Sequence, residues 1–346
     1  MGGSKMKYAL GSLLALAGTA AAAQPATPLF TSDAPIALTI RGPLGSIAKG
    51  AERSPTPRDG TLALAGNAEN HAVRLTARGI TRRRKETCQF PPLRVEFPQP
   101  PAATSLFAGQ RRLKLVTHCR PAEGFQQHLL LEYAAYRIFN LITPLSFRAR
   151  LATIDYLDQD GRPLTRRYGF FIEDLDDLAR RNGLKEARVG DRIPSVQLEG
   201  QQSARFALFE YMIGNLDWSM RAGPAGEGCC HNGRLLAGNG AYYTPVPYDF
   251  DYSGLVDAPY AVPPEHFKIS SVRTRVYQGY CRHNAAALLA AADIRAKRPA
   301  VEALFGQVPG MDQRTRRGAV AYLARFFEDI ATDASVQARV LKKCVA

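Results

Sequence analysis

The sequence predicts an α+β protein of two lobes, the first rich in β-strands and the second helical. Three observations lead there. Short segments that alternate apolar and polar residues fill the first half of the chain. Longer segments with apolar residues three and four apart fill the second half. A pair of strand-like segments around a tight turn stands between them. The expected division is a leader at 1–23, a linker at 24–35, a β-rich lobe with one helix at 36–175, and a helical lobe at 176–346.

The leader carries Lys5 and Lys7, then an apolar run from Tyr8 to Ala17, then the small residues Ala21, Ala22 and Ala23. That order is the pattern of a secretory signal, with a mature start near Gln24. The run is shorter than the ~20 residues that span a bilayer, and no later segment is long and apolar enough to be a transmembrane helix. The reading is a protein of the periplasm or the exterior. Residues 24–36 are rich in Ala, Pro and Thr and read as a linker.

The strands follow in order. Residues 36–40 read Ile-Ala-Leu-Thr-Ile, and 60–64 and 72–76 are similar. Residues 93–97 (Leu-Arg-Val-Glu-Phe) and 113–117 (Leu-Lys-Leu-Val-Thr) alternate cleanly. A helix over 126–141 places Leu129, Leu130, Tyr133, Ile138 and Leu141 at helical spacing, and Pro144 stops it. Strands at 147–157 and 167–173 flank a turn centred on Asp160-Gly161. Helices are predicted at 201–213, 285–297, 299–305 and 314–331, with a Gly-rich excursion at 221–240.

The full chain carries a formal net charge of +14, and loss of Lys5 and Lys7 with the leader leaves about +12. Such a surface favours anionic partners: phosphates, nucleotides, envelope polymers or lipid head groups. No nucleic-acid-binding motif is present. All six cysteines follow the leader, where an oxidising compartment pairs them. Cys88–Cys119 is the favoured pair, because each residue ends a strand-like segment of the same lobe. Cys229 or Cys230 with Cys281 comes second, and a bridge between the neighbours Cys229 and Cys230 is disfavoured. The spacing does not suit zinc. His118, His128 and His231 share no metal-ligand spacing and read as structural, and Trp218 reads as core.

Three acidic motifs cluster in the second half. They are Gly214-Asn215-Leu216-Asp217-Trp218, then His231-Asn232-Gly233, then Pro247-Tyr248-Asp249-Phe250-Asp251. Phosphoryl transfer to a hydroxyl needs a carboxylate for the hydroxyl proton, oxygen ligands for Mg²⁺ and a cation on the phosphates. Asp217, Asn232 and Asp249 meet that list in chain order. Bland alternatives stand beside it: a turn at Asp217, and a strand-exit turn or Ca²⁺ site at Asp249 and Asp251. The basic run from Arg82 to Lys85 reads as a solvated turn rather than a phosphate clamp.

These motifs resemble the CotH family of atypical kinases, named for a spore-coat protein. Arg-Leu-Thr-Ala-Arg-Gly at 74–79, followed by the basic run, and Gly169-Phe-Phe-Ile-Glu173 add to the resemblance. It implies a two-lobed protein-kinase-like fold with ATP and Mg²⁺ (or Mn²⁺) in the cleft, and a protein or envelope acceptor. Asp217 would be the catalytic acid, Asn232 and Asp249 would bind metal, and Asp251 would support them. Lys114 would contact the phosphates, Glu132 would orient that lysine, and Arg78 competes for the phosphate role. Glu173 would form the hinge that meets the adenine. The chain departs from the pattern in two places. Asn232 lies 15 residues after Asp217 rather than five, so 221–230 is an insertion, and no Gly-x-Gly-x-x-Gly loop is present, Gly42-Pro-Leu-Gly45 being the nearest stand-in. The alternatives are a catalytically inactive binding or scaffold protein of the envelope, and a Ca²⁺-stabilised surface protein.

Overall fold

The computed structural model describes residues 24–346. The expected leader and the cleavage site read from it lie outside them. Most of the expected elements form, and their bounds differ by a few residues. In chain order they are β1 (Ile36–Arg41), α1 (Leu44–Gly50), β2 (Arg58–Leu64), β3 (Asn70–Ala77), β4 (Leu93–Glu96) and β5 (Arg112–Val116). Then come α2 (Gln126–Ile142), β6 (Ala149–Leu157), β7 (Pro163–Ile172), α3 (Leu175–Arg181) and β8 (Lys185–Glu186). The last group is α4 (Gly200–Ile213), β9 (Gly233–Ala237), β10 (Tyr243–Pro247), α5 (Asn284–Ala296), α6 (Arg298–Gln307) and α7 (Gln313–Asp329).

The arrangement corrects the expected fold. Strands β1 to β7 close into a barrel in the order β1-β2-β3-β4-β5-β7-β6, and helices pack around it. This is not a β-sheet lobe set above a helical lobe as in protein kinases. The closing contact is a parallel pairing of β1 with β6, Ile36 opposite Ala152 through Arg41 opposite Leu157. All other neighbours in the barrel are antiparallel. Closure removes both sheet edges, whose unpaired backbone groups would otherwise need cover.

Burial explains why the barrel and the helices belong together. Leu38, Ile40, Leu62, Val73, Leu75, Leu115, Ile154 and Phe171 point inward and form the barrel core. Val116, Leu151, Phe170 and Ile172 belong to a second core, with Leu130, Tyr136 and Phe139 of α2 and Phe206 and Phe209 of α4. Adjacent residues such as Phe170 and Phe171 therefore serve different cores, as the two-residue period of a strand requires. The first four residues of β6, 149–152, are buried on both faces. A three-stranded sheet, β10-β9-β8, lies beside α4.

Local chemistry sets the element ends. The β6–β7 turn closes through Asp158, whose side chain accepts the N–H groups of Asp160 and Arg162. Helix α4 starts where the Glu199 carboxylate accepts from Gln201 and Gln202. It ends at Gly214, whose φ of 66° is left-handed. A Cβ there would also collide with the Tyr322 hydroxyl. This cap turns the chain sharply into Asn215 and Asp217.

Three disulfides form. Cys88–Cys119 is as expected. The other two correct the expectation: Cys229 pairs with its neighbour Cys230, and Cys281 pairs with Cys344. Cys281 is unavailable to the excursion because the C-terminal segment returns beside it, where Cys281 N–H donates to Val345 and Val345 N–H donates to Gly279. The disulfides fit an extracellular or periplasmic protein. No helix among the described residues is long and apolar enough to cross a membrane.

One buried histidine gives the fold a pH signature. His118 stacks on Phe90 at 4.6 Å between ring centroids. Burial, helped by the nearby Arg167 charge, lowers its pKa to about 4 from 6.5. Between those values the unfolded chain binds the extra proton, so stability falls as pH drops through the window. The loss approaches about 3 kcal/mol by pH 4. Urea unfolding of wild type and His118→Phe between pH 7 and 4 should diverge by that amount, and parallel pH profiles would refute the assignment.

Candidate functional site

The β9–β10 pairing assembles the acidic motifs. Gly233 lies opposite Pro247, so Asn232 and Tyr248 meet just beyond the ladder. Tyr248 N–H donates to the Asn232 carbonyl at 3.1 Å. Asn232 and Asp249 both take left-handed backbone, φ 47° and 67°. Asn and Asp tolerate that region better than other non-glycine residues. Asp249 N–H also donates to the Tyr136 hydroxyl of α2, which ties the motif to the helix beside the barrel.

Asp217 is brought in from the end of α4. Asn215 is buried, and its side-chain oxygen accepts Asp217 N–H at 3.1 Å. The Asp217 carboxylate is then held from two sides. His231 Nε2 lies 2.7 Å from Oδ1. The Asn232 amide nitrogen donates to Oδ2 at 3.0 Å and to the Asp217 carbonyl at 2.7 Å. His231 has a raised pKa, chiefly from its hydrogen bond to Asp217.

Asp249 and Asp251 meet Glu132 of α2. One carboxylate oxygen from each lies within 4.8 Å of the others. Arg82 sits among the three. Its guanidinium bonds Glu132 at 2.9 Å, Asp249 at 2.5 Å and Asp251 at 3.3 Å. Tyr260 adds a hydrogen bond to Asp251 at 2.9 Å. Burial pushes Glu132 and Asp251 above the ordinary carboxylate range, against the pull of Arg82 and with a further push from Asp249. For Arg82 itself, burial opposes the charge and the three carboxylates more than reverse it, so its pKa is raised.

Arg82 corrects two expectations. It is buried rather than a solvated turn residue. It, and not Lys114, is the partner of Glu132. A short helical turn at Thr81–Arg83 directs Arg82 inward, while Arg83 bonds the backbone of Ala51 and Glu52.

Lys114 lies apart from this cluster and does not line the cavity that holds the acidic motifs. Its Nζ is 5.6 Å from the Tyr248 ring and 5.7 Å from that of Phe147. Burial, then repulsion from Arg78, lowers its pKa to about 8. Arg234 stacks on the same Tyr248 ring at 4.9 Å. The pKa of Arg78 is lowered by burial, with Asp249 partly offsetting it. Among the described residues, none of these three cations makes a side-chain ion pair, unlike Arg82.

Most of these groups line one cavity of about 430 Å³. Asp217, Asn232, Asp249 and Asp251 face it, as do Arg78, Arg82, Arg234 and His231. Glu173 does not. It is fully buried and locked in an ion pair with Arg181 at 2.8 Å, and it also accepts Arg148 N–H. The expected hinge role for Glu173 is therefore corrected, because its carboxylate is already satisfied.

The donor set suits a hard divalent cation. It offers carboxyl oxygens from Asp249, Asp251 and Glu132, and a bound cation would displace the protons that burial favours on Glu132 and Asp251. The Asn232 amide nitrogen is engaged by Asp217, which leaves its amide oxygen for a cation. Magnesium takes such oxygens together with waters.

Sequence reasoning found the acids and missed their partners. Arg82 is one of four consecutive basic residues, and nothing local marks it as the buried one. His231 was visible only as a neighbour of Asn232. Arg234 lies two residues beyond Asn232 on β9, so the two-residue period could have placed it on the same face. No protein-family model matches the chain, and no curated protein matches it.

Proposed function

We propose that the cavity carries out metal-dependent phosphoryl transfer from a nucleotide to a hydroxyl of a protein or envelope acceptor. This keeps the chemistry implied by the resemblance to the CotH kinases, without the fold. The observation that carries it is that one cavity is lined both by oxygen donors, Asp217, Asn232, Asp249 and Asp251, and by the unpaired cations Arg78 and Arg234. Anionic phosphates bridged by a cation match both sets at once.

The roles divide as follows. Asp249 and Asn232 hold Mg²⁺ or Mn²⁺, with Asp251 in support. Arg78 and Arg234, which line the cavity, take phosphate oxygens, and Lys114 adds positive charge from behind the Tyr248 ring. Asp217 accepts the hydroxyl proton, with His231 and Asn232 fixing its orientation. The bound cation neutralises charge on the transferring phosphoryl group. The leader and the three disulfides support an exported protein that works in the periplasm or outside the cell.

A second reading has a specific observation behind it. Arg82 already engages all three clustered acids, which suits a binding or scaffold protein that holds a phosphorylated ligand without turnover. Thermal unfolding with ATP and Mg²⁺, Mn²⁺ or Ca²⁺ tests the proposal. Tight binding raises the midpoint by mass action, by several degrees for ligand at about 100 times Kd. ATP with Mg²⁺ or Mn²⁺ should give that rise, and a rise with Ca²⁺ alone would instead indicate a structural calcium site.

A further inference from the structure

A second cavity, of about 230 Å³, is lined in part by the residues that follow Asp217. Its walls include Arg192, Arg221, Trp218, Ser219, Gln278 and Tyr280. The backbone brings the two arginines together: Arg192 bridges to Ala222, and Ile193 N–H donates to the Arg221 carbonyl. The Cys281–Cys344 disulfide and the pairing of Tyr280 with Val345 fix the opposite wall.

Neither arginine side chain makes an ion pair or a hydrogen bond among the described residues. This contrasts with Arg148, Arg181, Arg273 and Arg275 elsewhere in the chain, each bonded to a carbonyl or carboxylate. The Gln278 amide nitrogen is buried and also lacks a partner. Arg221 is close enough to Tyr280 to act on its hydroxyl. An open concave site with an exposed and a half-buried guanidinium, neither ion-paired, and a buried spare amide donor suits an acceptor-only ligand. Planar guanidinium forks match tetrahedral oxyanions, and two positive charges match a dianion rather than a monocarboxylate.

We propose that this cavity is a phosphate site, in which a phosphate or phosphomonoester lies between Arg192 and Arg221 and receives the Gln278 amide. It is separate from the acidic cavity and does not rest on the nucleotide reading. Free phosphate and a phosphate carried on a larger ligand share this chemistry, and the size of the cavity admits either.

Trp218 provides a direct probe, because it lines this cavity and is the single tryptophan in the chain. The experiment is a fluorescence titration of the mature protein with inorganic phosphate at constant ionic strength, without metal or nucleotide. Parallel titrations use glycerol phosphate and acetate. Wild type should respond saturably to both phosphates and not to acetate. A stronger response to glycerol phosphate assigns the site to a phosphomonoester, and equal responses assign it to the phosphate group alone. Arg192→Ala and Arg221→Ala should each weaken binding about tenfold or more. Arg192 is exposed, so its variant keeps the fold. Arg325→Ala, at an exposed arginine of α7 outside both cavities, should bind as wild type does. No saturable response in wild type, an equal response to acetate, or a loss confined to Arg325→Ala would overturn the proposal.

Discussion

Arg82→Ala should destabilise the fold by about 3–5 kcal/mol, the usual consequence of stranding buried carboxylates by removing their shared cation. Arg82 is 9% exposed at its side chain, and it contacts carboxylates from α2 and from the segment after β10. It is therefore an electrostatic tie between the β3–β4 connection, helix α2 and the acidic motif. The midpoint of thermal unfolding should fall by roughly 4–7 °C. Glu132→Gln should lose much less, because two carboxylates still hold Arg82 and the excess negative charge decreases. The order of the two variants in urea unfolding is the check. A loss below about 1 kcal/mol for Arg82→Ala would mean that the cluster is wet and weakly coupled. Millimolar Mg²⁺ should restore Arg82→Ala more than it stabilises wild type, since a divalent cation can then occupy the acids unopposed.

Asp217→Asn should reduce phosphoryl transfer by about 10²–10⁴-fold while nucleotide affinity changes little. The substitution keeps the shape and removes the carboxylate that receives the hydroxyl proton. The amide oxygen of the variant side chain can still accept from Asn232, so the loop keeps its form. Rapid-mixing assays of transfer, run beside equilibrium binding, separate the two effects. Equal activity in wild type and variant would remove Asp217 from the mechanism. Absence of transfer in wild type, with nucleotide still bound, would favour the scaffold reading.

The elements of this fold were legible in the sequence because their signals are local. Alternation marked β4 and β5, and helical spacing marked α2 and α4. Barrel closure was not legible. It depends on β1 meeting β6 in parallel more than 100 residues later, and the β1 sequence reads the same in an open sheet. The acids of the site were visible because Asp-Phe-Asp and Asn-Leu-Asp are compact motifs. Their electrostatic partners were not. Glu132 could equally have met Lys114, and only the turn at Thr81–Arg83 decides for Arg82. Glu173 misled for a related reason: its Arg181 partner lies one helix further on, and a lone glutamate in sequence carries no sign of being satisfied. The disulfides followed the same division. Cys88 and Cys119 lie beside the Phe90–Cys119 bridge of one region, whereas Cys344 reaches Cys281 only through the path of the C-terminal segment.

The most direct test of the metal–phosphate cavity is thermal unfolding of wild type and Asp249→Ala, each with ATP alone, Mg²⁺ alone and both together. The predicted result is a midpoint rise in wild type that requires ATP and Mg²⁺ together and is absent from Asp249→Ala. A rise with ATP that ignores Mg²⁺ and survives in Asp249→Ala, or no rise with any combination, would contradict it.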